Sequence, residues 1–296
     1  MIDGTDSPVQ HLRRLSAELG VELLAKRDDL LPFPLGGNKV RKLTAELASL
    51  DAAPDLVISN GAIASNHCRT LALLAAEHGF RSHLVLHGDR DGETRALALL
   101  DATGATYDVV SDPADIAPTI DARHAKAAAR GDRVHVVAGG CHTRAGAIAY
   151  RDAAVAVISA HRPAWVVVAS GTGATHGGIA AGAAQLADRP RVVGVSVGRI
   201  AERGTAAVAE AARWAGADVD VDFRDAYLDG GYGRHTAATA SVVALGWKNG
   251  LPLDHTYTGK AMAGLRDMVG TGEIAPGARV LFWHTGGLAN YLLEGG

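Results

Sequence analysis

A lysine set directly behind two glycines and an asparagine, in PLGGNKVRKL over residues 34–43, is a candidate nucleophile. Lys39 stands where an amphipathic helix begins, and Lys42 follows three positions later on the same helical face. A lysine amine can form a Schiff base with a carbonyl, although by type alone a lysine is a solvated surface group. A second stretch, SGTGATHGG over 170–178, runs out of the apolar WVVVA. A glycine-rich turn lets backbone N–H groups approach an anion, and the helix that follows adds the positive end of its dipole. Gly171, Thr172, Gly173, Ala174 and Thr175 therefore read as a phosphate cradle, with the two threonines adding hydroxyl donors. The alternative is a tight strand–helix turn with no ligand. A third stretch, VISNGAIASNHCR, carries a strand into a small-residue loop and then a helix opening at Ser65 and Asn66.

The cradle lacks the Lys of a GxxxxGK[ST] loop. It also lacks the third glycine of GxGxxG, and the next strand, RVVGVSVGR, ends without an acid to hold a ribose. A lysine and a phosphate cradle together suit a phosphorylated aldehyde. Pyridoxal phosphate needs a lysine amine, a phosphate anchor and polar groups on its ring. On that reading Lys39 supplies the amine, Lys42 reaches the phosphate and Asn66 donates to the ring oxygen. Spacing alone does not bring these loops together.

The elements that must do so are legible. DLVIS, SHLVLHG, VHVVAGG, WVVVASG and RVVGVSVG are short apolar runs bounded by glycine or polar residues, as buried parallel strands are. Helical patterns cover 66–78, 93–103, 114–130, 143–161, 176–187 and 201–215. The alternation predicts an α/β fold with parallel open sheets and right-handed crossovers. VLFWHTGG is expected to return to the sheet holding WVVVASG. A chain of 296 residues with 48% hydrophobic content can fill two lobes. A net charge of −3 and 5% aromatic residues offer neither a basic field nor a stacking platform for nucleic acid. Two cysteines without CxxC spacing fit a reduced cytoplasm. Thirteen histidines include no HExxH and no Cys/His cluster, so no metal site is expected. The start, MIDGTDSPVQ, has no signal-peptide pattern, and no apolar run has membrane-span length.

GGNKVRKL, SNGAIASNHCR, SGTGATHGG, GGYG, YTGKAMAGL and HTGG occur in this order. Together they resemble the D-cysteine desulfhydrase and 1-aminocyclopropane-1-carboxylate (ACC) deaminase family. These are pyridoxal-phosphate enzymes of fold type II, the tryptophan-synthase-β type. The resemblance runs from about Leu23 to Gly287. It implies two lobes with helices on both sheet faces, the large one from 1–46 and 138–296 and the small one from 47–137, with the cofactor between them. It also implies a homodimer. Lys39 matches the Schiff-base lysine, Ser65 and Asn66 the contacts to substrate and ring, and Lys42 with 172–175 the phosphate contacts. Tyr232 and Tyr257 match two active-site tyrosines; by type alone they would be ordinary half-buried tyrosines.

The two branches differ at the ring nitrogen, where ACC deaminases carry YEG and this chain carries Tyr257-Thr258-Gly259. Thr258 is therefore expected to face that nitrogen. A neutral hydroxyl suits α,β-elimination from D-cysteine or a similar β-substituted amino acid, giving pyruvate, ammonia and the leaving group. ACC ring opening and β-replacement are the enzymatic alternatives, and a non-catalytic cofactor or amino-acid binder is the alternative of another class. LPLDHT, ahead of YTGK, departs from the Asp-Pro of relatives. Cys68 reads as a packing residue, His67 as a donor or a cap, and Lys260 as solvated surface.

Overall fold

The computed structural model describes residues 6–92 and 94–293. Among them, strands and helices alternate as β1 (Val9–His11), α1 (Arg13–Leu19), β2 (Glu22–Arg27), α2 (Asn38–Ala48), β3 (Leu56–Ala62), α3 (Asn66–His78), β4 (Arg81–His87), α4 (Thr94–Ala102), β5 (Thr106–Val110), α5 (Ile116–Ala128) and β6 (Val134–Val136). The second half continues with α6 (Arg144–His161), β7 (Trp165–Ser170), α7 (Ala174–Ala184), β8 (Arg191–Ser196), α8 (Ala201–Trp214), β9 (Asp222–Arg224), α9 (Ala237–Lys248), α10 (Thr258–Gly270), β10 (Arg279–His284) and α11 (Leu288–Leu293).

The strands form two sheets. The larger has six strands in the order β1-β2-β10-β7-β8-β9, and the smaller has four in the order β5-β4-β3-β6. Within the larger sheet β1 and β2 pair antiparallel, and the remaining pairs there are parallel. The smaller sheet is parallel throughout. VLFWH does return beside WVVVAS, with Phe282 opposite Val167. The smaller sheet uses one chain interval, 56–136, while the larger takes strands from both sides of it.

Both faces of the larger sheet are buried, and side-chain alternation divides them. Val167, Val193, Val195, Val280 and Phe282 pack with α9 and α10 on one face. Val166, Val168, Leu281 and Trp283 pack with α6 and α7 on the other. In the smaller sheet Val57, Leu84 and Leu86 meet α3 and α4, while Leu56 and Ile58 meet Ala127 of α5. Each fully buried Val, Leu or Ile contributes about 1.5–3 kcal/mol.

Five of the six predicted helices change bounds, by one to three residues at an end. The helix expected over 93–103 is Thr94–Ala102, and Glu93 lies outside the described residues. The helix expected from 176 starts at Ala174, so Ala174 and Thr175 belong to its first turn rather than to a preceding loop. Gly173, at φ +110°, supplies the turn that lets the helix begin there.

Candidate active site

The glycines before Lys39 are dictated by close approach. A Cβ on Gly36, whose φ is +51°, would lie 2.2 Å from the Asp29 carbonyl oxygen. One on Gly37 would lie 3.0 Å from the Thr285 carbonyl oxygen. The chain is held there by Gly37 N–H donating to Asp28 O at 2.7 Å and Asn38 N–H donating to Thr285 O at 2.9 Å. The first turn of α2 is thus wedged between the end of β2 and the loop after β10. Lys39 lies on its inner side.

From that turn Lys39 Nζ lies 3.4 Å from the Gly140 carbonyl oxygen, and Lys42 Nζ donates to the same oxygen at 2.6 Å. Burial lowers the Lys39 pKa. Burial and then the neighbouring Lys39 charge hold Lys42 well below the usual lysine range. Across from them the α7 N-terminus begins behind Gly173, where a Cβ would lie 2.9 Å from the Ala207 carbonyl. Asn38 Nδ2 donates to Thr175 Oγ1 at 3.1 Å, linking the starts of α2 and α7.

A cleft of about 500 Å³ opens from this point, and Lys39, Ser65, Gly171, Thr172, Tyr232 and Tyr257 lie on its wall. A narrow extension adds Lys42, Gly173, Thr175 and Thr285. No carboxylate lines either part among the described residues. A half-buried and a buried amine sharing one carbonyl, beside a helix N-terminus and two threonine hydroxyls, form a receptor short of an anion with several acceptor oxygens. A larger cavity of about 740 Å³ lies elsewhere, along Arg189, Asp218 and Asp220, and of the residues around the amines only His176 reaches it.

Of the residues expected from the sequence, Ser65 caps α3 by accepting from His67 N–H at 3.2 Å and reaches the cleft. One other is corrected. Thr258 does not face the cleft. It is fully buried, its Oγ1 donates to Asp254 Oδ1 at 2.6 Å, and Asp254 N–H donates back to it at 3.0 Å. The Asp254 carboxylate, which also accepts from Thr258 N–H at 2.9 Å, holds the hydroxyl inward, and Thr285 is the threonine on the wall beside Lys39. Asn66 is half-buried at the first position of α3 beside Ser65, and its Oδ1 accepts from Arg69 Nη2 at 2.5 Å, which leaves Nδ2 as its donor. Ala174 turns its methyl into the packing of α6, α7 and α8, leaving only its backbone at the helix start.

Lys260 is not solvated surface. It is fully buried, and its Nζ donates to the carbonyls of Leu228 at 2.7 Å, Gly231 at 3.0 Å and Val197 at 3.4 Å. The Tyr232 and Tyr257 hydroxyls are hydrogen-bonded to each other, with the rings edge to face. Burial raises the Tyr257 phenol pKa and the neighbouring Tyr232 adds to it, while Tyr232 itself is half exposed. His67 turns inward to Ser59 Oγ at 2.7 Å and lines neither part of the cleft. Burial pushes the Cys68 thiol up to about 12, which makes it a packing residue.

Sequence reasoning missed the support of α2. Asp28, fully buried, accepts from Arg41 Nη2 at 2.8 Å, Tyr150 Oη at 2.5 Å, Trp283 Nε1 at 2.9 Å and Ser7 Oγ at 2.6 Å. The Arg41 close behind Lys39 was the available signal, since a helix face turned toward a buried pocket needs an anion for it.

The model of the pyridoxal-phosphate dependent enzymes matches residues 2–286. D-cysteine desulfhydrase of Klebsiella pneumoniae (strain 342) is 34% identical, over 96% of this chain and 92% of its own. D-cysteine desulfhydrase of Salmonella typhi is also 34% identical over the same shares. The crystal structure of an ACC deaminase homologue superposes with a TM-score of 0.87 at 32% identity, covering 98% of this chain and 91% of the other. The processed form of threonine deaminase isoform 2 from Solanum lycopersicum shares the fold, at 17% identity and a TM-score of 0.67 over 95% of this chain and 79% of its own.

Proposed function

The chain belongs to the pyridoxal-phosphate dependent enzymes, and from that premise we propose that it is a lyase catalysing α,β-elimination on D-cysteine or a similar small β-substituted amino acid. Pyridoxal phosphate, when bound, supplies an aldehyde that condenses with amines and a ring that withdraws electrons from Cα. The residues fit it. Lys42, Thr172, Thr175 and the backbone of 171–174 would hold the phosphate, and Lys39 Nζ would hold the aldehyde carbon. Thr285, rather than the fully buried Thr258, would offer a hydroxyl to the ring nitrogen.

The observation that carries elimination is the absence of a carboxylate from the wall around Lys39 among the described residues. No anion is available there to hold a proton on the ring nitrogen, so a substrate that expels its β-substituent promptly is favoured over one whose carbanion must persist. Lys39 is fitted to take the Cα proton, since burial lowers its pKa and makes the neutral amine more accessible. Ser65 and the paired tyrosines orient the substrate opposite Lys39. The β-leaving group departs from Cβ with the bonding electrons and takes a proton from the tyrosine pair. The enamine released takes up one water and yields pyruvate and ammonia.

The reading includes a large lobe of 1–46 and 138–296 around a small lobe of 47–137, a homodimer and a reducing cytoplasm. The two buried free cysteines support the last. No helix among the described residues is long and apolar enough to cross a membrane. The test is a panel of D- and L-cysteine, both β-chloroalanines and ACC, with pyruvate, 2-oxobutyrate and ammonia measured. Pyruvate from a β-substituted alanine is expected. Release of 2-oxobutyrate from ACC, with no pyruvate from any β-substituted alanine, overturns it.

A further inference from the structure

Lys260 is a cation enclosed by backbone carbonyls, and we propose that it is a positioning residue: it shapes the 228–231 loop and so presents Tyr232 to the substrate. The inference rests on the reading that Tyr232 takes part in the reaction. An ammonium has three N–H donors and no acceptor, and here the carbonyls of Leu228, Gly231 and Val197 provide one acceptor for each. Among the described residues no carboxylate is hydrogen-bonded to it; the carbonyls, together with the Asp229 and Asp254 charges, offset the cost of keeping a charge out of water.

Apart from short turn bonds and the Asp229 contacts to the start of α9, the Lys260 ammonium is what ties the loop to the body of the large sheet. Asp229, Gly230, Gly231 and Gly233 all have positive φ, at 55°, 88°, 127° and 74°. A glycine run of this kind has many accessible conformers and loses much entropy when fixed in one. The Asp229 carboxylate accepts from Thr239 Oγ1 of α9 at 2.6 Å, and its charge acts on Lys260 without a hydrogen bond. Gly231 N–H closes a turn onto Leu228 O at 2.8 Å, and the Lys260 ammonium ties the carbonyls of 228 and 231 to α10. The same helix makes a second contact: Tyr257, three residues before Lys260, meets the Tyr232 hydroxyl. The third carbonyl belongs to Val197, next to Gly198, where a Cβ would sit 3.1 Å from Tyr232 Cβ. Backbone and hydroxyl of Tyr232 are therefore both referred to α10.

The experiment compares wild-type holoenzyme with Lys260→Met and Lys260→Ala by hydrogen–deuterium exchange over 226–234, cofactor absorbance and turnover. Exchange of the loop should rise by about tenfold or more, as local opening does when a buried anchor is lost. Cofactor absorbance should stay, and kcat should fall by about 10²-fold. Ammonium or methylamine, which refits the carbonyl pocket of Lys260→Ala, should restore loop protection and part of kcat, whereas a purely packing role would not respond. Unchanged loop protection in Lys260→Met overturns the tether. Lost protection with full turnover overturns the positioning role and leaves the lyase reading intact. Should wild-type protein turn over none of the panel, the lyase reading falls, and exchange with amine rescue still decides the tether.

Discussion

Lys39 and Lys42 compete for one carbonyl oxygen, and each bears on the other's proton. Removing Lys39 therefore takes away the proposed proton carrier and also a like charge beside Lys42. Lys39→Ala is expected to lose the visible absorption of bound cofactor and to slow elimination by about 10²–10⁴-fold. The fold should survive, because the side-chain bond broken is a 3.4 Å contact to Gly140 O. Wild-type absorption and turnover in that variant would exclude Lys39 from the chemistry. The threonines act on retention instead. Thr172→Ala and Thr175→Ala are each expected to weaken cofactor binding by about 1.5–3 kcal/mol, the worth of a charge-assisted hydrogen bond. The larger effect should come from Thr175, whose Oγ1 also accepts from Asn38 Nδ2. A cofactor titration of the double variant that matches wild type would place the phosphate elsewhere.

At the level of elements, α2 is precise because its entry is tight. Gly36→Ala would drive a Cβ to 2.2 Å from Asp29 O at a positive φ, so the backbone must move and carry Lys39 with it. We expect a loss of about 1–3 kcal/mol in urea denaturation, the usual cost of a strained backbone position, together with weaker cofactor binding. Unchanged midpoint and affinity would show that the entry is slack. Much of this scale was legible in the sequence. The apolar runs of β3, β4, β7 and β8 and the glycines after β7 announce themselves through periodicity and punctuation. β2 does not, since Lys26 and Arg27 end it; both are buried because Asp6 and Asp29 neutralise them. The inward turn of Thr258 was equally hidden. A motif gives residue types, while the hydroxyl's direction is set by Asp254, which accepts from the N–H groups of Thr256 and Tyr257 at 3.1 and 2.9 Å. Lys260 was misread for a related reason: its partners are carbonyls, which leave no signature in side-chain composition.

Across the whole molecule one buried carboxylate adds side-chain bonds between segments that the sheet and the α2 entry already bring together. Asp28 follows β2 and binds Arg41 of α2, Tyr150 of α6, Trp283 of β10 and Ser7 ahead of β1. Burial pushes its pKa up, but the Arg41 charge and the hydrogen bonds from Arg41, Ser7 and Tyr150 outweigh that, and the net shift is downward. A carboxyl whose pKa is depressed on folding contributes stability above its unfolded pKa, near 3.9, and loses it as pH falls through the folded value. Wild-type stability should therefore have an acid limb below about pH 4 to which Asp28 contributes. Asp28→Asn keeps the shape but leaves the Arg41 guanidinium buried without its anion, which costs about 3–5 kcal/mol. At pH 7 the variant should unfold at correspondingly lower denaturant. The gap to wild type should hold down to about pH 4 and narrow below it, because protonation then makes the wild-type carboxyl resemble the amide. Arg41 shares α2 with both lysines, so cofactor affinity should fall along with stability at pH 7. Denaturation of both proteins at about pH 7 and about pH 3 measures the two gaps. A gap that is equal at both pH values would mean that the ionised form of Asp28 gives no advantage, and that packing around its side chain holds these segments together.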